Sequence, residues 1–95
     1  MADDNGGPSI PRAATVRPGL YRHFKGKFYT VYGIAEDATN PRPGELANPA
    51  QVFYRQNYEP YKLCYRTVRD FTETVDRPEH NYKGPRFRFV QPLTP

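Results

Sequence analysis

The chain has a single cysteine, Cys64, and no tryptophan. One thiol excludes an internal disulfide framework, the usual support of a small secreted domain, so a reducing, cytoplasmic setting is the expectation. Histidine is almost as scarce, with His23 and His80 only. Two distant imidazoles and one thiol do not make a tetrahedral metal site, so neither a metal nor a cofactor is expected. Ser9 lies in the leading segment, and Cys64 would have to meet His23 across the fold to act as a nucleophile. No catalytic residue is therefore assigned, and a buried, inert thiol is the simpler reading of Cys64. The glycines match neither common phosphate-loop fingerprint. No apolar run approaches the length of a membrane span, and Met1 to Gly7 is acidic and glycine-rich where a secretory signal needs positive charge before an apolar stretch. Neither membrane insertion nor secretion is expected.

Hydrophobic residues make up only 37% of the 95 residues, with mean hydropathy −0.88. Aromatics offset that deficit. Eight tyrosines and six phenylalanines bury large areas apiece, at about 1.5–3 kcal/mol for each fully buried ring, so few residues suffice for one small core. Stability should be modest, and a homodimer would help it. The net charge is +4 with a pI near 9.4, and Asp3 and Asp4 lie in the leading segment, which leaves the folding part more basic still. Such a balance suits an anionic partner or, more blandly, solubility.

Residues 1–18 carry Gly6, Gly7, Pro8, Pro11 and Pro18 with few large apolar groups, the composition of a flexible arm. From Gly19 the pattern changes. Leu20 to Phe24 and Phe28 to Ala35 read as a β-hairpin, with Gly26-Lys27 at the centre of a type II′ turn and Gly33 marking a bulge. The second arm is apolar on both faces, Tyr29, Val31 and Ala35 against Phe28, Tyr32 and Ile34, as in a central strand. Pro41, Pro43, Gly44 and Pro49 make residues 36–50 a long mobile loop. Gln51–Asn57 and Lys62–Thr67 are strand candidates joined through Tyr58-Glu59-Pro60-Tyr61. Val68 to Val75 reads as a short helical turn, capped by Thr67 and with Phe71 inward. Asp76–Pro85 is rich in breakers, and Arg86-Phe87-Arg88-Phe89-Val90 then alternates charge with aromatic at the period of a half-buried strand. The fold class is mainly β: about five short strands and one helical turn, which suits a small SH3-like barrel over residues 19–91, with a frayed tail at 92–95.

The series Gly19-x-Tyr21-x-His23-x-Lys25-Gly26-x-x-Tyr29-x-Val31-x-Gly33-x-Ala35, with Val52-x-Tyr54, Tyr65-Arg66, Phe71-x-Glu73-x-Val75 and Arg86-Phe87, resembles a compact prokaryotic family, the domain of unknown function family 1653. The resemblance covers Gly19 to Val90. Where that family has an acidic-threonine segment after the first hairpin, this chain has its proline-rich loop; where it has tryptophan before an Arg-Pro pair, this chain has Tyr65-Arg66-Thr67. What the resemblance implies is a small β-barrel, without an activity.

Strand alternation puts Tyr21, His23 and Lys25 on one face, a stacking ring, a switchable imidazole and a fixed charge. This trio is a candidate nucleotide site, and its bland counterpart is a packed tyrosine, a satisfied histidine and a solvated lysine. Arg66, Arg69, Lys83, Arg86 and Arg88 form a second basic set, in which alternation puts Arg86 and Arg88 on one face opposite Phe87 and Phe89, with Tyr58, Tyr61 and Tyr82 in nearby loops to stack bases. Its counterpart is a solvated face paired with Asp70 and Glu73. The expected function is a non-enzymatic binding module for a phosphate-bearing ligand, a nucleotide or nucleic acid, with Tyr21, His23, Lys25, Arg66, Arg86 and Arg88 as ligand-binding residues. The alternative is a protein-interaction module that takes a partner peptide through exposed aromatics and a sheet edge.

Overall fold

The computed structural model describes residues 16–93. The first hairpin forms where the aromatic and β-branched residues favour pleated strands, as β1 (Gly19–His23) and β2 (Phe28–Ala35). Its turn differs from the expected one. The Gly26 N–H donates to the His23 carbonyl at 2.7 Å and the His23 N–H to the Lys27 carbonyl at 2.8 Å, so the loop is Phe24-Lys25-Gly26. Gly26, at φ +106°, closes a three-residue loop instead of opening a two-residue one.

The next strands are β3 (Gln51–Gln56) and β4 (Leu63–Thr67), followed by the single helical turn α1 (Val68–Phe71). Thr67 caps α1 through its Oγ1, which accepts the Asp70 N–H at 3.1 Å. The helical turn is shorter than the expected Val68–Val75, and two short strands that the sequence reading does not anticipate follow it, β5 (Thr74–Arg77), which begins in the expected turn, and β6 (Tyr82–Pro85), in the breaker-rich stretch. They pair as a separate ribbon, turned by the 3-10 segment Pro78–His80 and by Asn81 in the left-handed region at φ 51°. The last strand, β7 (Phe87–Pro92), pairs with β1.

The architecture is mainly β, but the sheets are not closed into a barrel. One antiparallel sheet runs in the order β4-β3-β2-β1-β7, and the β5–β6 ribbon stands apart from it. The two edges are instead brought near one another by side chains: Arg66 of β4 lies 5.9 Å from the Phe87 ring of β7, and Phe71 of α1 stacks on that ring at 4.3 Å. The helical turn thus fills the space that backbone closure would have occupied. Tyr21, Val31, Val52, Tyr54, Val68, Phe71 and Phe87 form the core on the concave side.

β2 is central, as its two apolar faces suggest, and the predicted irregularity at Gly33 is a register shift against β3 between Val31 and Gly33. The shift re-phases the strand. Ile34, which strict alternation places with Phe28 and Tyr32, pairs with Val52 and packs on the core. Of the expected arm, residues 1–15 lie outside the described residues, as do 94–95 of the expected tail. Val16 is buried in the core and the Arg17 guanidinium sits 3.8 Å from the Phe89 ring centre. The 36–49 segment is exposed, and Asp37 draws it together by accepting from the Thr39 N–H at 2.9 Å and from Asn48 Nδ2 at 2.6 Å. No helix among the described residues is long and apolar enough to cross a membrane.

Candidate cationic cleft at the hairpin end

The turn of the first hairpin is held to the start of β7 by the Phe24 N–H, which donates to the Arg86 carbonyl at 3.1 Å. Four of the predicted ligand residues, His23, Lys25, Arg66 and Arg86, lie near one another at this end of the sheet. His23 is half-buried against Phe24, Tyr29 and Phe87, with ring centres at 4.4, 6.1 and 5.0 Å. Its Nδ1 accepts the Lys25 N–H at 3.1 Å. Burial, then the positive charges of Arg66, Arg86 and Lys25, bring its pKa from 6.5 down to about 4. Burial and the surrounding cations thus keep the imidazole neutral well below the pH at which a free one protonates.

The cations differ in how they are satisfied. Arg86 gives its Nη2 to Glu73 Oε1 at 2.6 Å, and the same bond holds the Glu73 carboxyl below its ordinary range. Its buried Nε has no partner. Arg66 donates from Nε to the Tyr54 hydroxyl at 2.9 Å, on the concave side. The Tyr29 and Tyr58 hydroxyls meet at 2.5 Å beside it, and burial with this neighbour pushes the Tyr29 pKa up. Arg88 does not share a face with Arg86 as strand alternation predicts, because Arg86 lies in the bend before β7 and turns to Glu73, whereas Arg88 points to the other side of the sheet. It stands directly across from Arg22, and both are exposed.

These two guanidinium groups share a cleft of about 180 Å³ lined by Arg22, His23, Phe24, Tyr82 and Arg88. Phe24 and Tyr82 stack at 5.3 Å and 15°, making an aromatic wall. Arg22 donates only to the Gly26 carbonyl, at 3.3 Å, and among the described residues no carboxylate pairs with Arg22 or Arg88. Like charges opposed across neighbouring strands are unfavourable unless something negative lies between them.

Tyr21 does not join this site. It is 5% exposed, closed edge-on between Phe71 and Phe89, and its hydroxyl donates to the Arg17 carbonyl at 2.9 Å. Alternation does place it on the face of His23, as read from the sequence, but that face is the core. Of the three tyrosines expected in loops, Tyr82 instead begins β6 and lines the cleft, Tyr58 is engaged with Tyr29, and Tyr61 is exposed. Arg22 and Phe24 are the residues sequence reasoning missed. Their signal would have been the register of β1 against β7, which no local pattern reveals. Cys64 is half-buried with Leu63 and Tyr65 turned outward, as alternation requires. Among the described residues no cluster of His, Cys, Asp and Glu is placed to hold a metal ion.

A family model described as "Protein of unknown function (DUF1653)" matches residues 19–90. Among solved structures, the crystal structure of a protein of that description from Bordetella bronchiseptica is similar at 30% identity and a TM-score of 0.67, covering 87% of this chain and 97% of that one. No curated protein matches the chain.

Proposed function

The chain belongs to the DUF1653 family of proteins of unknown function, and from its site we propose that it is a non-enzymatic binding module for a phosphate-bearing ligand. The observation that carries this is the Arg22–Arg88 pair, two guanidinium groups opposed across β1 and β7 in one cleft with no carboxylate partner among the described residues. A phosphate group accepts from two such forks at once, and Phe24 and Tyr82 offer flat apolar surface to whatever it carries. Lys25, Arg66 and Arg86 add to the field at His23, the two arginines while bonded to Tyr54 and Glu73. The cleft is of a size for a phosphate group, with the remainder of the ligand outside it. On this reading the sheet is an SH3-like barrel opened at one side, its core plugged by α1 and its ligand held at the hairpin end.

The test is titration of the whole chain with pyrophosphate and with mononucleotides at low and high salt, for the native protein and for Arg22→Ala/Arg88→Ala. Both arginines are exposed and bear no structural ion pair among the described residues, so the variant should fold. Salt-sensitive binding that falls at least about tenfold in the variant is the expected result. Equal binding by the two proteins, or none by either, would defeat the proposal.

A second reading has its own observation. β4 is an edge strand, paired on one side only, and its outward residues Leu63 and Tyr65 are 66% and 67% exposed. Such an edge suits the addition of a partner's strand or of a second copy. Proline placed at an outward-facing N–H of β4 would abolish that association and leave phosphate binding untouched.

A further inference from the structure

Outside the cleft, the convex face of the large sheet has an uncommon composition. Alternation opposite to the core residues directs Arg22, Phe28, Thr30, Phe53, Arg55, Leu63, Tyr65 and Arg88 outward. None of the residues of β1, β2, β3, β4 or β7 is acidic. Every ionised group that the strands present on this face is therefore positive. Phe28, Phe53 and Tyr65 are 41%, 37% and 67% exposed, and the last two stack at 5.9 Å and 22°. Phe53 stands opposite Gly33, which has no side chain to cover it.

The placement of these groups is ordered. Arg88, Arg22 and Phe28 occupy one row across β7, β1 and β2, with Arg22 5.6 Å from the Phe28 ring. Arg55 lies in the next row with Leu63, and Phe53 with Tyr65 in the one after. Successive rows are about 7 Å apart. A path from the cleft thus meets cation and ring alternately.

Resting on the phosphate reading of the cleft, we propose that the ligand is a single-stranded nucleic acid, which enters the Arg22–Arg88 cleft with one phosphate and crosses the convex face with bases on Phe28, Phe53 and Tyr65 and a second phosphate at Arg55. Flat, exposed rings serve bases that are free of a duplex stack, and the guanidinium groups between them match the charge of the connecting backbone. Charge complementarity selects this occupant. A second copy docked on the same face would bring two faces that carry only positive charge together, because a two-fold contact uses the same patch on both copies.

The experiment uses the full chain with fluorescent oligothymidylate and oligouridylate of about 10 nucleotides, the corresponding duplex, and pyrophosphate. Phe53→Ala/Tyr65→Ala is the main variant, and Tyr65→Ser, at a more exposed position, the second in case the first folds poorly. Single strands should bind more tightly than pyrophosphate or duplex, and the variants should lose about tenfold or more for the strands and nothing for pyrophosphate. If pyrophosphate binds but the oligonucleotides bind no better, or the variants leave oligonucleotide affinity unchanged, the platform is refuted while the cleft stands. If Arg22→Ala/Arg88→Ala changes neither ligand, the cleft reading has failed and this inference with it. Loss of self-association in the variants without loss of oligonucleotide affinity would assign the face to a second copy and overturn the proposal. The comparison of thymidylate with uridylate separates DNA from RNA.

Discussion

His23 shows how a residue's neighbours decide its chemistry. With its pKa brought from 6.5 to about 4 by burial and by Arg66, Arg86 and Lys25, it is neutral in the folded chain while the unfolded chain protonates normally. The sign follows from linkage: the depressed value means that stability is complete above pH 6.5 and drains as pH falls from 6.5 towards 4. Urea midpoints should therefore decline between pH 7 and about 5, above the main carboxylate range. His23→Gln should flatten that decline, and an unchanged profile would show that the imidazole is not the source. The sequence made the residue conspicuous through its place beside Lys25 in an alternating strand. It did not reveal Arg66 and Arg86 as neighbours, because Arg66 of β4 and Arg86, in the bend between β6 and β7, both lie far along the chain. Tyr21 is the converse case: its face was read correctly, but alternation cannot tell which of two aromatic faces is covered.

At the level of elements, the hairpin and α1 were legible because their signals are local. Strand residues, a glycine at the turn and a threonine ahead of a short amphipathic segment need no distant information. The turn geometry still differed, since Gly26 serves equally as the first residue of a two-residue loop or the last of a three-residue one, and strand register chooses. Gly26→Ala should cost roughly 1–2 kcal/mol because φ is +106° there, which thermal denaturation will measure. α1 contributes mainly through Phe71, 2% exposed and in contact with Tyr21, Tyr54 and Phe87. Phe71→Ala should cost about 3–5 kcal/mol, enough to leave a domain this small largely unfolded at physiological temperature, as loss of near-ultraviolet circular dichroism would report. The β5–β6 ribbon was hidden by its own breakers. Pro78 and Asn81 were read as interrupting structure, and in the fold they make the turn between two strands.

For the molecule as a whole, the division of charge matters more than the net value. Among the described residues the acidic side chains lie in loops, in α1 and in the ribbon region, and the large sheet has none, so its outward arginines form a coherent positive face. If one phosphate is neutralised in the Arg22–Arg88 cleft and a second at Arg55, log affinity for a single strand should fall against log salt with slope about −1.4, and Arg22→Ala/Arg88→Ala should reduce it to about −0.7. A slope near zero in the native protein would remove the electrostatic basis of the platform. Composition and alternation alone determined that the chain is mainly β, where most strands run, and which side chains share a strand face, because each depends on neighbours two residues away. Only the tertiary structure decided that β7 lies beside β1, that Arg88 faces Arg22, and that the sheet stays open with α1 filling its concavity. Those outcomes are choices among distant pairings of similar strands, settled by how the rings of Tyr21, Tyr54, Phe71 and Phe87 pack together, and no single segment carries that information.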